Sequence, residues 1–503
     1  MRALIALVPL PVLLSGCMAG TMLVPAIHAY ARDAHREGQA FFYSSLLLLA
    51  LVGGVALATA RREPSRAGRG NLLALLSAYT LLPALAAIPF AQIVERTTWL
   101  NVYFEMVAAM TTTGGSVYPI DALSPTLHLW RALVAWQGGL VIWVAAVAIL
   151  APLNLGGLEV AESNTFRLSE REAEQRRISG TRRVARSAAA LAPIYLGLTL
   201  VLWALLVLLG ESATRGAILA MSTLSTSGIT GGPGPAGTGA GYGGEVAIAF
   251  FLVFAISRQT FSTDTARDRF RSLAHDRELA IAGAIAGSIT LFVFLRHWIV
   301  AIGEGEAPVT GTALGALWGT AFTVLSFLTT TGFESASWAS AQAWSGLETP
   351  AVLLLGLAMF GGGIATTAGG VKLLRIFILY AHGRREMDLL IHPHSASSAR
   401  GIRRRIPPGG MDAAWVFFML FALTLAAVTM ALTMAGLAFA PALTLATAAL
   451  TTTGPLATVA SDGAITFAAL TDAAKVIAML AMIVGRLEVL AVFAMLDPAF
   501  WRD

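Results

Sequence analysis

The chain is 503 residues long, 56% apolar and only 13% charged, with a mean hydropathy of +0.72. This composition excludes an ordinary soluble domain and leaves room for ten or more membrane spans of about 20 residues each. The formal charge of +5 sits in loops between apolar stretches, so it reports topology and gives no argument for nucleic-acid binding.

Stretches long enough to span a bilayer run over 3–30, 39–60, 71–91, 127–151, 184–210, 245–262, 279–302, 350–381, 412–437 and 466–496. The first two form an N-terminal transmembrane helix pair, 1–66. Within it, Leu13-Leu14-Ser15-Gly16-Cys17 has the look of a lipoprotein cleavage site, and Cys17 is the only cysteine. An uncleaved span reads better, because only Arg2 precedes the apolar stretch and that stretch continues through Leu23-Val24 to Ile27. One cysteine also excludes an intrachain disulfide.

Beyond 66 one unit repeats four times, over 67–165, 166–270, 271–400 and 401–503. Each holds a spanning helix, a short apolar stretch, a polar segment with one glycine, and a second spanning helix. The polar segments are Thr111-Thr112-Thr113-Gly114, Ser225-Thr226-Ser227-Gly228, Thr329-Thr330-Thr331-Gly332 and Thr451-Thr452-Thr453-Gly454. The stretches before them, such as 102–110 and 442–450, are too short to cross and read as half-membrane pore helices. Irregular backbone at membrane depth is tolerated only where protein buries it or where it lines a watery cavity. Four such segments on one axis would make a ring of carbonyl and hydroxyl oxygens, which is how a cation filter is built. Glycine supplies the dihedrals, and the negative ends of the pore helices would face the cavity. One Thr-Thr-Gly alone is as readily a loop turn; four in register with the hydropathy pattern are not.

Of the 34 lysines and arginines, 22 fall in four loops, 61–70, 151–186, 258–277 and 382–405. Under the positive-inside rule these loops are cytoplasmic and the glycine segments open outward. The same basic surface could dock lipid headgroups or a partner. The acidic residues Asp121, Glu304, Glu306, Glu334, Glu348 and Asp462 lie toward the outer mouth, as cation attractors or as plain solvated charges. The stretch 231–244, rich in glycine and proline, reads as an external linker.

The third unit continues into Phe360-Gly361-Gly362-Gly363-Ile364-Ala365-Thr366-Thr367-Ala368-Gly369-Gly370-Val371-Lys372. Five glycines must break a helix here. A phosphate loop needs Gly-Lys followed by Ser or Thr, whereas Val371 separates Gly370 from Lys372 and Leu373 follows. A flexible intramembrane loop below the filter, placed to block or open it, fits better; a simple kink is the rival. His382, His392 and His394 sit in a basic loop and make no metal-ligand pattern. Arg486 lies inside the last apolar stretch, where a charge marks a pathway or a pairing; snorkelling to the cytoplasmic edge is the plainer account. Glu488, two residues on, faces another side of a helix. No nucleophile–base set stands out, so the chain is not read as an enzyme.

These features together resemble the Trk/Ktr/HKT superfamily of potassium transporters, and within it the bacterial TrkH-type potassium uptake subunit. The carriers are the four glycine segments, Trp130-Arg131…Trp136-Gln137-Gly138-Gly139, the glycine loop, and Gly485-Arg486-Leu487-Glu488…Pro498-Ala499-Phe500-Trp501. The resemblance implies an all-α membrane protein with four M1–pore-helix–M2 repeats around a central ion pore plus two N-terminal transmembrane helices. It also implies a homodimer in the inner membrane, with a cytosolic nucleotide-binding regulatory partner. By the same resemblance potassium, as substrate, is held by Thr112 and Thr113, Thr226 and Ser227, Thr330 and Thr331, and Thr452 and Thr453. The glycine loop (Gly361, Gly362, Gly363, Thr366, Thr367, Gly369, Gly370, Lys372) and Arg486 form its gate. No covalent cofactor is implied. The family's fourth segment usually carries Asn-Leu before the glycine; Thr452-Thr453-Gly454-Pro455 departs from that, at a position that bears on selectivity. The rival readings are a sodium-preferring or weakly selective cation channel of the same architecture and a secondary transporter for a small solute. Retention of Gly114 speaks against the sodium-preferring form, and the four-fold repeat against the carrier.

Overall fold

The computed structural model describes residues 9–59, 67–150, 180–232, 234–235, 239–257, 276–304, 313–346, 349–391, 410–461 and 463–496. The described residues form helices and turns, with no strand among them. Most of the basic-loop residues that orient the chain lie outside this set, as do Glu306, Glu348, Asp462, His392, His394 and the Pro498-Ala499-Phe500-Trp501 ending.

Seven described helices are long and apolar enough to cross a membrane: Leu10–Tyr30, His35–Thr59, Leu72–Ile93, Pro125–Leu150, Arg183–Leu208, Arg277–Arg296 and Met411–Met434. The first two form the N-terminal pair, joined where Ser45 Oγ donates to the Ala19 carbonyl at 2.7 Å in a buried contact. Leu13 to Cys17 lie within the helix Leu10–Thr21. The remaining five comprise the outer helix of every repeat and the inner helix of the first.

Four short helices precede the polar segments: Trp99–Met110, Ala213–Ser225, Ala313–Leu328 and Phe439–Leu450. A 12-residue helix, the length of the first and last, reaches about 18 Å at 1.5 Å per residue, roughly half a bilayer core. These pore helices are the buried centre of the molecule, while Leu47, Leu57, Val201, Leu208, Phe292 and Leu423 on the longer helices are exposed, as lipid-facing side chains should be.

Among the described residues two of the inner helices are interrupted, the last of them within the expected span 466–496, and the second inner helix tightens near its end, residues 258–262 of its span lying outside the described set. Gly241–Leu252 tightens into a 3-10 turn over Val253–Ala255. Ala351–Phe360 stops at the glycine loop and the chain resumes as Leu373–Ile391. Asp472–Leu487 stops at Glu488, whose φ is +65°, before Val489–Leu496. The nearest glycine, Gly485, is still helical. The cause of this last break is tertiary: Glu488 turns to meet the fully buried Arg375 at 3.0 Å.

Candidate functional site

Each pore helix ends the same way. The middle residue of its polar segment, Thr112, Thr226, Thr330 or Thr452, takes a left-handed conformation with φ of 55°, 54°, 56° and 54°. β-branched residues avoid that region, so four equivalent outliers mark a backbone held there by its surroundings. The reason is visible in the hydrogen bonds. The amides of Thr113, Ser227, Thr331 and Thr453 turn back onto Ala108, Ser222, Ser326 and Ala448 in the last turn of their own pore helices. The carbonyls of Thr112, Thr226, Thr330 and Thr452 accept no hydrogen bond among the described residues. Buried carbonyls without partners are rare, and here they come from one position in every repeat.

The hydroxyls are engaged with one another. Thr111 and Thr113 bond each other through their hydroxyls at 2.9 Å, Ser225 and Ser227 at 3.1 Å, Thr329 and Thr331 at 3.1 Å, and Thr451 and Thr453 at 3.2 Å. These four clasps brace the strand from behind. The hydroxyls of Thr226 and Thr330 bond to the glycine loop, leaving only those of Thr112 and Thr452 in this ring without a partner among the described residues. The backbone carbonyl is therefore the oxygen left without a partner, among the described residues, at the same position of all four segments.

The glycines interlock the four segments into a ring. A Cβ on Gly114 would strike the Ser227 carbonyl, one on Gly228 the Thr331 carbonyl, one on Gly332 the Pro455 ring, and one on Gly454 Thr113 and Gly115. The repeats thus follow one another around an axis in chain order. The fourth segment breaks the equivalence: Gly114, Gly228 and Gly332 have positive φ and Gly454 does not. Its amide instead donates to the Thr113 carbonyl at 2.6 Å.

The glycine loop packs directly beneath the ring. Thr226 Oγ1 donates to the Thr367 carbonyl at 3.0 Å, the Gly369 amide to Thr330 Oγ1 at 2.8 Å, and a Cβ on Gly369 would meet Thr451 and Thr452. Three segments are touched at once. Arg486, 3% exposed, donates from Nη1 to the same Thr367 carbonyl at 2.6 Å, with Tyr79 and Tyr195 beside it. Lys372 Nζ donates to the Ala368 carbonyl within the loop. Gly361, Gly362, Gly363, Thr366 and Gly370 complete the turn, with Gly362 and Gly370 at positive φ. Beside it lies a small cavity of about 20 Å³ lined by Leu150, Ala365, Lys372, Arg486 and Glu488 among others.

One docking contact has a sequence cause. In three repeats an inner-helix glycine lies against the last carbonyl of the pore helix: Gly138 at Met110, Gly361 at Leu328 and Gly485 at Leu450. The second inner helix has glycine only near its start, at 241, 243 and 244. There the loop fills the role, with Thr367 Oγ1 donating to the Leu224 carbonyl at 3.0 Å.

Sequence reasoning did not assign roles to Glu105, Arg131, Glu245, Glu278 or Arg375, all buried. Charge inside an apolar stretch was the available signal, and Glu105 within 102–110 carries it. Glu278 Oε1 accepts from the Ile364 amide of the loop at 3.0 Å. His382 sits 3.7 Å from Glu386 on its own helix.

Comparison with known proteins follows from this geometry. The family model described as TrkH, cation transport protein, matches residues 284–499. The Trk system potassium uptake protein TrkH of Salmonella typhimurium is 29% identical over 509 residues, covering 100% of this chain and 99% of the relative. A protein of the same name from Halomonas elongata is 30% identical, over 79% of each chain. The crystal structure of the potassium transporter TrkH from Vibrio parahaemolyticus superposes with a TM-score of 0.81 at 25% identity, covering 99% of both chains.

Proposed function

Since the chain belongs to the TrkH family of cation transport proteins, we propose that it is a potassium uptake pore of the inner membrane whose filter is the ring of four polar segments. It is a membrane transporter and not an enzyme. A potassium ion would enter from the outer face, shed water, and take oxygens from the carbonyls of Thr112, Thr226, Thr330 and Thr452. Thr113, Ser227, Thr331 and Thr453 supply the next ring. The observation that carries this reading is the four-fold set of left-handed threonines with unpartnered carbonyls.

The glycine loop is the gate in this reading. It stands across the exit from the ring, and the bonds to Thr367 from Thr226 and Arg486 tie it shut. Opening requires those bonds to break together and the loop to move off the exit from the ring. The homodimer and the cytosolic nucleotide-binding partner rest on the resemblance, the partner facing the basic loops. The division into a helix pair and four repeats at 66, 165, 270 and 400 is part of the same proposal.

A second reading, a weakly selective pore, is favoured by one observation: the Gly454 amide occupies the Thr113 carbonyl, so the upper ring is not four-fold. The four-fold set of segments, in place of a two-fold repeat, speaks against a carrier for an organic solute. Flux of potassium, rubidium and sodium into liposomes containing only this chain tests the proposal. Potassium and rubidium flux well above sodium supports it, equal flux selects the second reading, and no cation flux in folded protein rejects both.

A further inference from the structure

Two buried carboxylates lie behind the ring, away from the ion path, and neither is used by the gate. Glu105, on the first pore helix, is 0% exposed; Glu245, on the second inner helix, is 1% exposed. A carboxylate is kept in such a place only when several donors satisfy it. Glu105 faces Arg131 Nε at 2.5 Å and accepts from Ser116 Oγ at 3.2 Å and the Val117 amide at 3.1 Å. Glu245 accepts from Trp318 Nε1 at 2.6 Å, Ser335 Oγ at 2.9 Å and the Ala336 amide at 2.7 Å.

The placement of these donors is similar in both cases, shifted by one residue. Ser116 and Val117 follow Gly114 by two and three residues, and Ser335 and Ala336 follow Gly332 by three and four. Each carboxylate therefore holds the strand just after a filter glycine against a pore helix, through Glu105 itself in the first repeat and through Trp318 in the third. First and third are diagonal in the ring order set by the glycine contacts. The other diagonal is restrained differently, by Thr230 Oγ1 donating to the Gly232 carbonyl at 2.5 Å and by the Leu456 amide on the Thr453 carbonyl at 3.0 Å.

We propose that Glu105 and Glu245 are positioning residues that set ion discrimination by fixing the outgoing strands of the first and third filter segments. The inference rests on reading the four segments as a filter. A carboxylate accepts from several donors at once, and glutamine, with one oxygen and two donors, does not reproduce that. The strand then moves, and site geometry within about 0.5 Å is what holds a binding constellation in its productive form.

The experiment measures sodium and potassium flux separately in liposomes for the full-length chain carrying Glu105→Gln, Glu245→Gln or Glu245→Asp. The sodium-to-potassium flux ratio is expected to rise about three- to tenfold in the glutamine variants, the size of one ordinary net hydrogen bond lost. Glu245→Asp, which keeps the charge at shorter reach, should fall between them and the parent. Ser116→Ala and Ser335→Ala each remove one donor and spare the carboxylate, so they give a smaller rise and keep the test open if a glutamate variant does not fold. A lowered melting temperature with an unchanged ratio overturns the proposal, because purely structural residues would do only that. Gly332→Ser serves as the reference. A shifted ratio there with none at the carboxylates rejects this inference alone, and no shift anywhere rejects the filter.

Discussion

Gly114 and Gly332 show how narrow the tolerance of the ring is at single positions. Their φ values of +73° and +81° cost an L-residue roughly 1–2 kcal/mol before any collision, and an added Cβ also meets Ser227 or Pro455. Serine at either position should raise the sodium-to-potassium flux ratio; normal discrimination in both variants, at normal expression, would sink the four-glycine filter. Gly283 and Gly287, on the third outer helix, have open space around them. Alanine there should stabilise by about 0.5–1 kcal/mol in a thermal melt and leave flux alone. Arg486 is the other decisive residue. A cation 5 Å from a passing ion opposes it by roughly 3 kcal/mol at an effective dielectric near 20, and the same guanidinium holds the Thr367 carbonyl. Arg486→Ala and Arg486→Gln lose both effects and should raise flux, while Arg486→Lys keeps the charge without the fork and should be intermediate. Indistinguishable rates across the three would remove Arg486 from the mechanism.

Among the elements, the glycine loop and the break at Glu488 make an instructive pair. Five glycines in a long apolar stretch announce the first, because they make an unbroken helix costly. Nothing local announces the second, since the residues around it suit a helix and the ion pair with Arg375 comes from another repeat. The loop's attachment can be tested at a residue that neither coordinates an ion nor breaks the helix. Thr367→Val keeps the backbone carbonyl that Thr226 and Arg486 use but loses the bond to Leu224. One net hydrogen bond is worth about 1 kcal/mol, so basal potassium flux should rise about fivefold, with the sodium-to-potassium ratio unchanged. Deleting several residues of 361–370 should act the same way and more strongly. Abolished flux in a folded deletion variant would mean that the loop is only a structural kink.

At the level of the whole molecule, one buried ion pair links the third repeat to the fourth. Arg375, fully buried, pairs with Glu488 at 3.0 Å and lies 3.7 Å over the Phe417 ring of the last outer helix. Removing one partner of a buried pair is costly because it strands the other, whereas replacing both with apolar residues is often neutral. Glu488→Gln should therefore destabilise by about 3 kcal/mol, seen as a lowered melting temperature in detergent. The double variant Arg375→Met/Glu488→Leu should recover most of it. A double variant no better than the single one would show that the pair serves the closed gate and not the assembly of the repeats.

The number of repeats, the four polar segments and the glycine loop were all open to reading in the linear chain. Hydropathy period and glycine placement are local properties, and the bilayer imposes them segment by segment. The same holds for the half-length pore helices, whose shortness alone forbids crossing. What residues far apart do to each other was not legible. The closure of the ring by Gly454 on Thr113, the reach of Thr330 to Gly369, and the sharing of Thr367 between Thr226 and Arg486 are such cases. Each joins groups far apart in the chain, and which donor meets which acceptor is settled only when the four units pack around one axis. A buried polar group must find a partner, but the sequence does not say which one, and that choice is made by the tertiary fold.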